Sequence, residues 1–202
     1  YISNIIDSIA PNDSEERFEG MGIRVVKEQA RFLNHTQIIT QNTLINAKKI
    51  VVCSGSSPSI PDLNGLESVP YYTNETIFQN EVNPDHLVVI GAGAIGVEIA
   101  QAYKNLSVKV SIIDSKKFLN NRDKEASEIL KSILKGEGID LYENCKVEKI
   151  RNIDEGKVVI TLLENQTQLD IECSHLLVCT GRTPNVKGLD LDKAGIFYNE
   201  KG

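Results

Sequence analysis

The chain has 202 residues, 41% of them hydrophobic and 25% charged, a balance that excludes a disordered chain and leaves room for one large or two small cores. A formal charge of −6, with 22 Lys and Arg scattered and forming no basic stripe, argues against a nucleic-acid partner. No apolar stretch approaches the ~18 residues of a membrane span, and "YISNIIDSIAPNDSEERFEG" lacks the basic flank and long apolar segment of a signal peptide, so a cytoplasmic protein without membrane contact is expected.

Ile2, Ile5, Ile6 and Ile9 recur at helical spacing before Pro11 and predict a short amphipathic helix. "IRVVKEQARFL", "TQIIT", "TLINAKK" and "IVVCSG" then predict successive strands of a small antiparallel meander, with "QNT" as a turn. "SSPSIPDLNGLESVP" is rich in Pro, Ser and Gly and reads as a connection between domains. From Leu87 the pattern becomes strand, helix, strand, helix: "LVVIGAG", Ala94 to about Leu106, "VKVSIID", and Lys124 to Lys135. Such alternation predicts a parallel sheet. Ser107 stands where a glycine would end the first of these helices naturally. Ile139 to Leu169 returns to strand patterns, with "EGK" as a tight turn between "VEKIRNI" and "VVITLL". "HLLVCTG" closes the series as a buried strand.

An internal repeat frames the alternating segment. "VVCSGSSP", followed by Gly65 and Leu66, resembles "LVCTGRTP", followed by Gly188 and Leu189. Each is an apolar run closed by Cys, a hydroxyl residue, Gly, any residue, a hydroxyl residue and Pro. The pair suggests a nucleotide domain inserted into another domain, entered through one turn and left through the other.

Gly91, Gly93 and Gly96 form GxGxxG between a predicted strand and a predicted helix. The first glycine permits the sharp turn, the second lets a diphosphate approach the backbone, and the third lets helix and strand pack closely. The unpaired N–H groups of the helix start then face the phosphates. Asp114 ends the second strand 18 residues beyond Gly96, close to the ~20-residue spacing at which a carboxylate bonds the adenosine ribose. Its charge favours NADH over NADPH. Lys116 and Lys117 could pair with a 2′-phosphate, but a solvated loop is the preferred reading of both. Glu98 lies in the first helical turn, where the dipole stabilises a carboxylate, so structural and catalytic roles both stand at this point.

Cys53, Cys145, Cys173 and Cys179 form neither a CxxC pair nor a zinc-ligand pattern, so no metal site and no redox dithiol is expected among these residues. Cys53 and Cys179 close apolar runs and are expected to behave as small buried hydrophobes. His35, His86 and His175 read as surface or strand-end residues.

The order "IVVCSGSSPSIPDLNG", "VVIGAGAIGVEIAQ", "LLVCTGRTPNVKGLDLDKAGI" resembles the flavoprotein pyridine nucleotide-disulfide oxidoreductases over nearly the whole chain. "RFEGMGIRVVKEQARF" and "VPYYTNETIF" look most like the mercuric-reductase-like branch. The resemblance implies an α/β fold in which a Rossmann-like NAD(P)H-binding domain, residues 73–186, is inserted into a partial FAD-binding domain, residues 1–72 and 187–202. It implies that Ala30, Ser54, Gly55 and Ser56 lie along the FAD, Ser54 replacing a usual threonine, with Arg182 and Asn185 in the GRxPN turn on the FAD side of the domain junction. Gly91, Ala92, Gly93, Ala94, Ile95, Gly96, Val97, Glu98, Asp114, Val147 and Gly181 would line the NAD(P)H site, and Glu98 matches the family's acid near the nicotinamide and flavin rings.

By the same resemblance, a flavin GxGxxG and a CxxxxC redox pair would precede Tyr1, and a further flavin motif and dimerisation domain would follow Gly202. The sequence then reads as an internal fragment of a homodimeric enzyme that passes a hydride from NAD(P)H to FAD and electrons onward to a small-molecule or disulfide substrate. Two alternatives share its motifs: a dithiol-free NADH oxidase or ferredoxin/quinone-type reductase, and an NADH-responsive regulatory module without turnover.

Overall fold

The computed structural model describes residues 2–154, 156–164, 167–199 and 202. The chain divides into two compact units, Tyr1–Ser56 with Pro184–Gly202, and Ser57–Thr183.

In the first unit, the isoleucine spacing forms helix α1 (Ile2–Ile9), with all four isoleucines exposed. Helix α2 (Glu15–Gly20), which no apolar period announces, starts where the Ser14 side chain accepts the Arg17 N–H. Strands β1 (Arg31–Asn34), β2 (Gln37–Ile39) and β3 (Leu44–Asn46) form the expected antiparallel meander. The "QNT" turn is closed by the Thr40 N–H on the Thr43 carbonyl at 2.9 Å. Phe32 is buried on β1 and its N–H donates to Leu189 O at 2.8 Å, which ties the meander to the returning chain, where Leu191 is also buried.

One expected strand, 50–55, is absent, and the first, expected over 23–33, is shortened to β1. Residues 23–30 and 50–55 carry apolar, β-branched sequence but no ladder. A strand exists only where a neighbour satisfies its N–H and C=O groups. Here none of the described strands runs beside either stretch, and Val51 is 83% exposed. Cys53, expected to be buried, is exposed for the same reason.

β4 (Ser56–Pro58) belongs to the first copy of the repeat. It pairs with β12 (Arg182–Pro184) of the second.

The second unit is built on four parallel strands: β5 (His86–Ile90), β6 (Lys109–Ile113), β7 (Asp140–Tyr142) and β11 (His175–Val178), in the order β11-β5-β6-β7. Helices α3 (Ala94–Asn105) and α4 (Lys124–Gly136) make the crossovers, with bounds close to those expected. Strands β8 (Lys146–Asp154), β9 (Lys157–Glu164) and β10 (Thr167–Cys173) form a second, antiparallel sheet. The "EGK" turn joins β8 to β9; its Glu155 lies outside the described residues.

Alternation along β5 explains why its run is apolar throughout. Leu87 and Val89 pack with Val97, Ala100 and Leu134 on the helical side, whereas Val88 and Ile90 pack with Ile150, Ile160 and Leu162 of the antiparallel sheet. Burying Val97 and Ile99 alone stabilises the α3 contact by roughly 1.5–3 kcal/mol each. The parallel sheet is thus covered on both faces, which fixes its strand ends rigidly.

Residues 57–72 join this unit, so its boundary falls before Ser57 and not at 72/73. Leu66 and Val69 sit in the core with Val88 and Ile150, and Tyr72 bridges to Leu177, its N–H donating to Leu176 O at 2.7 Å. At the far end the boundary is 183/184. Among the described residues no helix is long and apolar enough to cross a membrane.

Candidate functional site

β6 and β7 lie on one side of β5, and β11, formed last in the chain, lies on the other. The connections therefore diverge at the carboxyl ends of β5 and β11, which opens a crevice there. A cleft of about 720 Å³ occupies it. Its wall includes Ile90 to Ala94 after β5, Ile113 to Lys117 after β6, and Cys179 to Gly181 after β11.

The three motif glycines have separate physical reasons. Gly91 has φ +112°, and a Cβ there would overlap the Cys179 carbonyl. A Cβ on Gly96 would overlap Gly91 O and press on Val89 Cγ1 at 3.2 Å, so this glycine sets the closeness of α3 to β5. Gly93 has an ordinary extended backbone at the α3 N-cap, and a Cβ there would meet nothing within 4 Å. Its bare surface faces open space beside a helix start that no side chain caps. Donor groups at such a start are left for an anion.

Asp114 is half-buried at the end of β6. Its Oδ2 accepts the Ala92 N–H at 2.7 Å and its Oδ1 accepts the Lys116 N–H at 2.8 Å. The acid therefore ties the glycine turn to the loop after β6, a role that its sequence spacing does not disclose. Glu143 holds the same loop from β7's side: its Oε1 accepts the Phe118 N–H at 2.7 Å and its other oxygen pairs with Lys131 of α4. Burial works to raise the Glu143 carboxyl, and the Lys131 and Phe118 hydrogen bonds outweigh it, leaving the group below its ordinary range.

Of the residues expected at the NAD(P)H site, Gly91, Ala92, Gly93, Ala94, Asp114, Val147 and Gly181 line the cleft, whereas Ile95, Gly96, Val97 and Glu98 do not. Gly96 and Val97 are buried behind the turn, and Glu98 is exposed just past the first turn of α3 and not within it as expected, because the helix starts at Ala94. In the first unit, Asn185 brings Ser54 and Gly55 together: its Nδ2 donates to Ser54 O at 3.1 Å and its N–H to Gly55 O at 3.0 Å. Ala30 is half-buried just before β1, and Ser56 opens β4. Arg182 begins β12 in the second unit, where it donates to Asn74 Oδ1 at 3.1 Å and lies 3.9 Å from Glu75.

Sequence reasoning missed Pro61, Leu63, Arg122 and Lys146 as cleft residues. Pro61 and Leu63 lie in the stretch that reads as a connection between domains and Arg122 and Lys146 in no motif, so only the fold brings them there. Cys145 and Cys179 also face the cleft; burial pushes the Cys179 thiol up to about 11, so it stays protonated at neutral pH and is a poor nucleophile. The histidines sit at strand ends or turns. His175 stacks on Tyr72 with ring centroids 5.6 Å apart, and His86 bonds Glu172 O and Ser111 Oγ.

The sequence model of the pyridine nucleotide-disulphide oxidoreductase family matches residues 5–202. The chain is 36% identical over 186 residues to mercuric reductase from Shewanella putrefaciens, covering 89% of the chain and 32% of that protein. It is 32% identical over 173 residues to mercuric reductase from Lysinibacillus sphaericus, covering 85% and 32% respectively. Among solved structures it is similar to the Cu(II) complex of the HOCl-induced flavoprotein disulfide reductase RclA from Escherichia coli, with a TM-score of 0.83 and 29% identity over 98% of this chain and 45% of that one. The chain spans about a third of the length of these curated relatives and under half of the solved one.

Proposed function

The chain belongs to the pyridine nucleotide-disulphide oxidoreductase family, a family of enzymes with the FAD/NAD(P)-binding fold, and from that premise we propose that Ser57–Thr183 holds NAD(P)H for hydride transfer to a flavin. The observation that carries the reading is the cleft at the ends of β5, β6 and β11, whose wall holds the open Gly93, the uncapped α3 start and Asp114. In this reading the first N–H groups of α3 bind the diphosphate, and the buried Gly96 keeps them at the right height above the sheet.

The other unit, residues 1–56 with 184–202, is assigned to the flavin. Ser54, Gly55 and Asn185 form its turn, and Arg182 sits where the chain crosses over. Glu98, exposed just past the first turn of α3, is in this reading the acid beside the reacting rings. When bound, the nicotinamide supplies the hydride and the flavin relays the electrons. Their destination is a disulfide outside these residues, in a cytoplasmic homodimer acting on a small-molecule or disulfide substrate.

Titrating NADH and NADPH into the 202-residue chain, followed by nicotinamide fluorescence, tests the binding step. Saturable binding by wild type, weakened in Gly93→Ala, is expected; no binding of either coenzyme overturns the assignment. For the electron route, coenzyme reduction of the full-length flavoprotein should release a new pair of titratable thiols. Flavin reduction without new thiols would favour the dithiol-free alternative.

A further inference from the structure

Ser115 to Lys117 and Leu119 to Arg122 line the cleft, yet residues 115–122 form no helix or strand, so the bonds that fix their backbone come largely from outside the loop. The Leu119 N–H donates to Ala92 O at 3.1 Å. Asn144, in the left-handed region at φ +55°, turns its N–H onto Lys116 O at 3.2 Å. Phe118 is buried instead, in the core that includes Leu134 of α4, and its N–H donates to Glu143 Oε1 at 2.7 Å. The loop bearing Lys116 and Lys117 is thus fixed in place, contrary to the expectation of a merely solvated loop.

Leu119 makes these bonds necessary. Its φ of +47° lies in the left-handed region, which an L side chain occupies at a cost, so the loop relaxes into other shapes unless its N–H groups are held. Ala92 O holds the Leu119 N–H and Glu143 holds the one before it. Of the two acceptors the carboxylate makes the stronger, charge-assisted bond. Lys131 of α4 pins its other oxygen, and both side chains of that pair are only 18% exposed. Neither Glu143 nor Lys131 lines the cleft.

We propose that Glu143, pinned by Lys131 of α4, is a positioning residue of the dinucleotide site: through the Phe118 N–H it keeps the cleft loop in one shape, and so sets coenzyme affinity without touching the coenzyme. The proposal rests on the reading of Ser57–Thr183 as the dinucleotide site. Asp114 holds only the start of the loop, at the Lys116 N–H, which leaves the stretch from Phe118 onward to Glu143 and Ala92. With Glu143 in place a ligand meets backbone already ordered. Without it, the ligand orders the loop as it binds, and that cost is subtracted from its affinity.

Dissociation constants of NADH and NADPH for the 202-residue chain, measured by calorimetry on variants that circular dichroism shows to be folded, test the proposal. Glu143→Ala should weaken each coenzyme that wild type binds by about fivefold or more, the cost of ordering a few loop residues on binding. Glu143→Gln combined with Lys131→Met returns a neutral acceptor to the Phe118 N–H and leaves no charge unpaired, so it should bind within about twofold of wild type. Where Glu143→Ala does not fold, Glu143→Asp decides: it keeps the charge beside Lys131 but is one methylene short of Phe118, and should weaken binding about threefold or more. A folded Glu143→Ala, or Glu143→Asp in its place, that binds like wild type makes the acid purely structural and overturns the proposal, as does a combined variant that binds no better than the single one. In either case the dinucleotide reading stands. Failure of both coenzymes to bind wild type overturns both.

Discussion

The Asp114 carboxylate accepts the Ala92 N–H at 2.7 Å and thereby joins the end of β6 to the glycine turn after β5. Ala92 is buried, so removing the acceptor strands a donor that water reaches poorly. Asp114→Ala is expected to lose about 1.5–3 kcal/mol of stability in urea unfolding, the range for hydrogen bonds to charged groups. Asp114→Asn keeps one carbonyl acceptor and should lose less. An unchanged urea midpoint for Asp114→Ala would mean that the acid does not clasp the turn.

Gly93 and Gly96 separate binding from folding. A methyl group on Gly96 has no room against Gly91 O and Val89, so Gly96→Ala should cost about 1–3 kcal/mol through overpacking and displace α3 as well. A methyl on Gly93 projects into open space, and the loss of a favourable N-cap residue should cost under about 1 kcal/mol. Gly93→Ala should therefore melt almost like wild type yet bind dinucleotide weakly, because its methyl occupies the diphosphate approach. A Gly93→Ala protein that binds coenzyme normally would remove the diphosphate from this position.

The inserted unit was the most legible part of the sequence because its signals are local. Gly91, Gly93 and Gly96 occupy one turn, and the period of "LVVIGAG" and the α3 residues reports burial on both faces of a sheet. The strand expected at 50–55 failed for the complementary reason: β-branched composition describes a side chain's fit to a sheet, while a strand also needs a partner, which composition does not encode. The repeat was visible as two similar strings, but their mutual pairing as β4 and β12 depends on where the intervening chain returns. At the site, Asp114 was recognisable by spacing alone. Arg122, Lys146 and the clasp role of Asp114 depend on tertiary contacts between segments that no short pattern links.

Ser107 ends α3 with φ +66°, in the left-handed region that an L side chain occupies at a cost. Its N–H donates to Lys104 O at 2.9 Å, and the Val108 N–H donates to Tyr103 O at 3.2 Å, the bond pair of a Schellman motif. The substitution that the sequence pattern itself suggested, Ser107→Gly, relieves the strain while keeping both bonds. Glycine's greater freedom in the unfolded chain offsets part of the gain, so about 0.5–1 kcal/mol of stabilisation is expected in urea or thermal unfolding. Destabilisation would show that the serine side chain holds the cap by some other means.

His86 makes stability depend on pH near neutrality. Its Nδ1 lies 2.6 Å from Glu172 O, which can only accept, so the Nδ1–H donates, while Nε2 lies 2.9 Å from the Ser111 hydroxyl, which also reaches Asp140 Oδ2 at 3.4 Å. Burial first, and the Lys109 charge second, hold its pKa below the ordinary 6.5, with the Glu172 carbonyl and Asp140 opposing. His175 is shifted the same way by burial, against Asp85. With the folded pKa below the unfolded one, the unfolded chain takes up protons first as pH falls. This contribution is complete above the unfolded value of 6.5 and is lost as pH drops from there towards the folded value. Urea midpoints should therefore fall between about pH 7.5 and pH 5.5, a window above the titration of ordinary carboxylates. His86→Asn should flatten that decline, and a wild-type midpoint that rises on acidification would place the ring in its charged form within the fold.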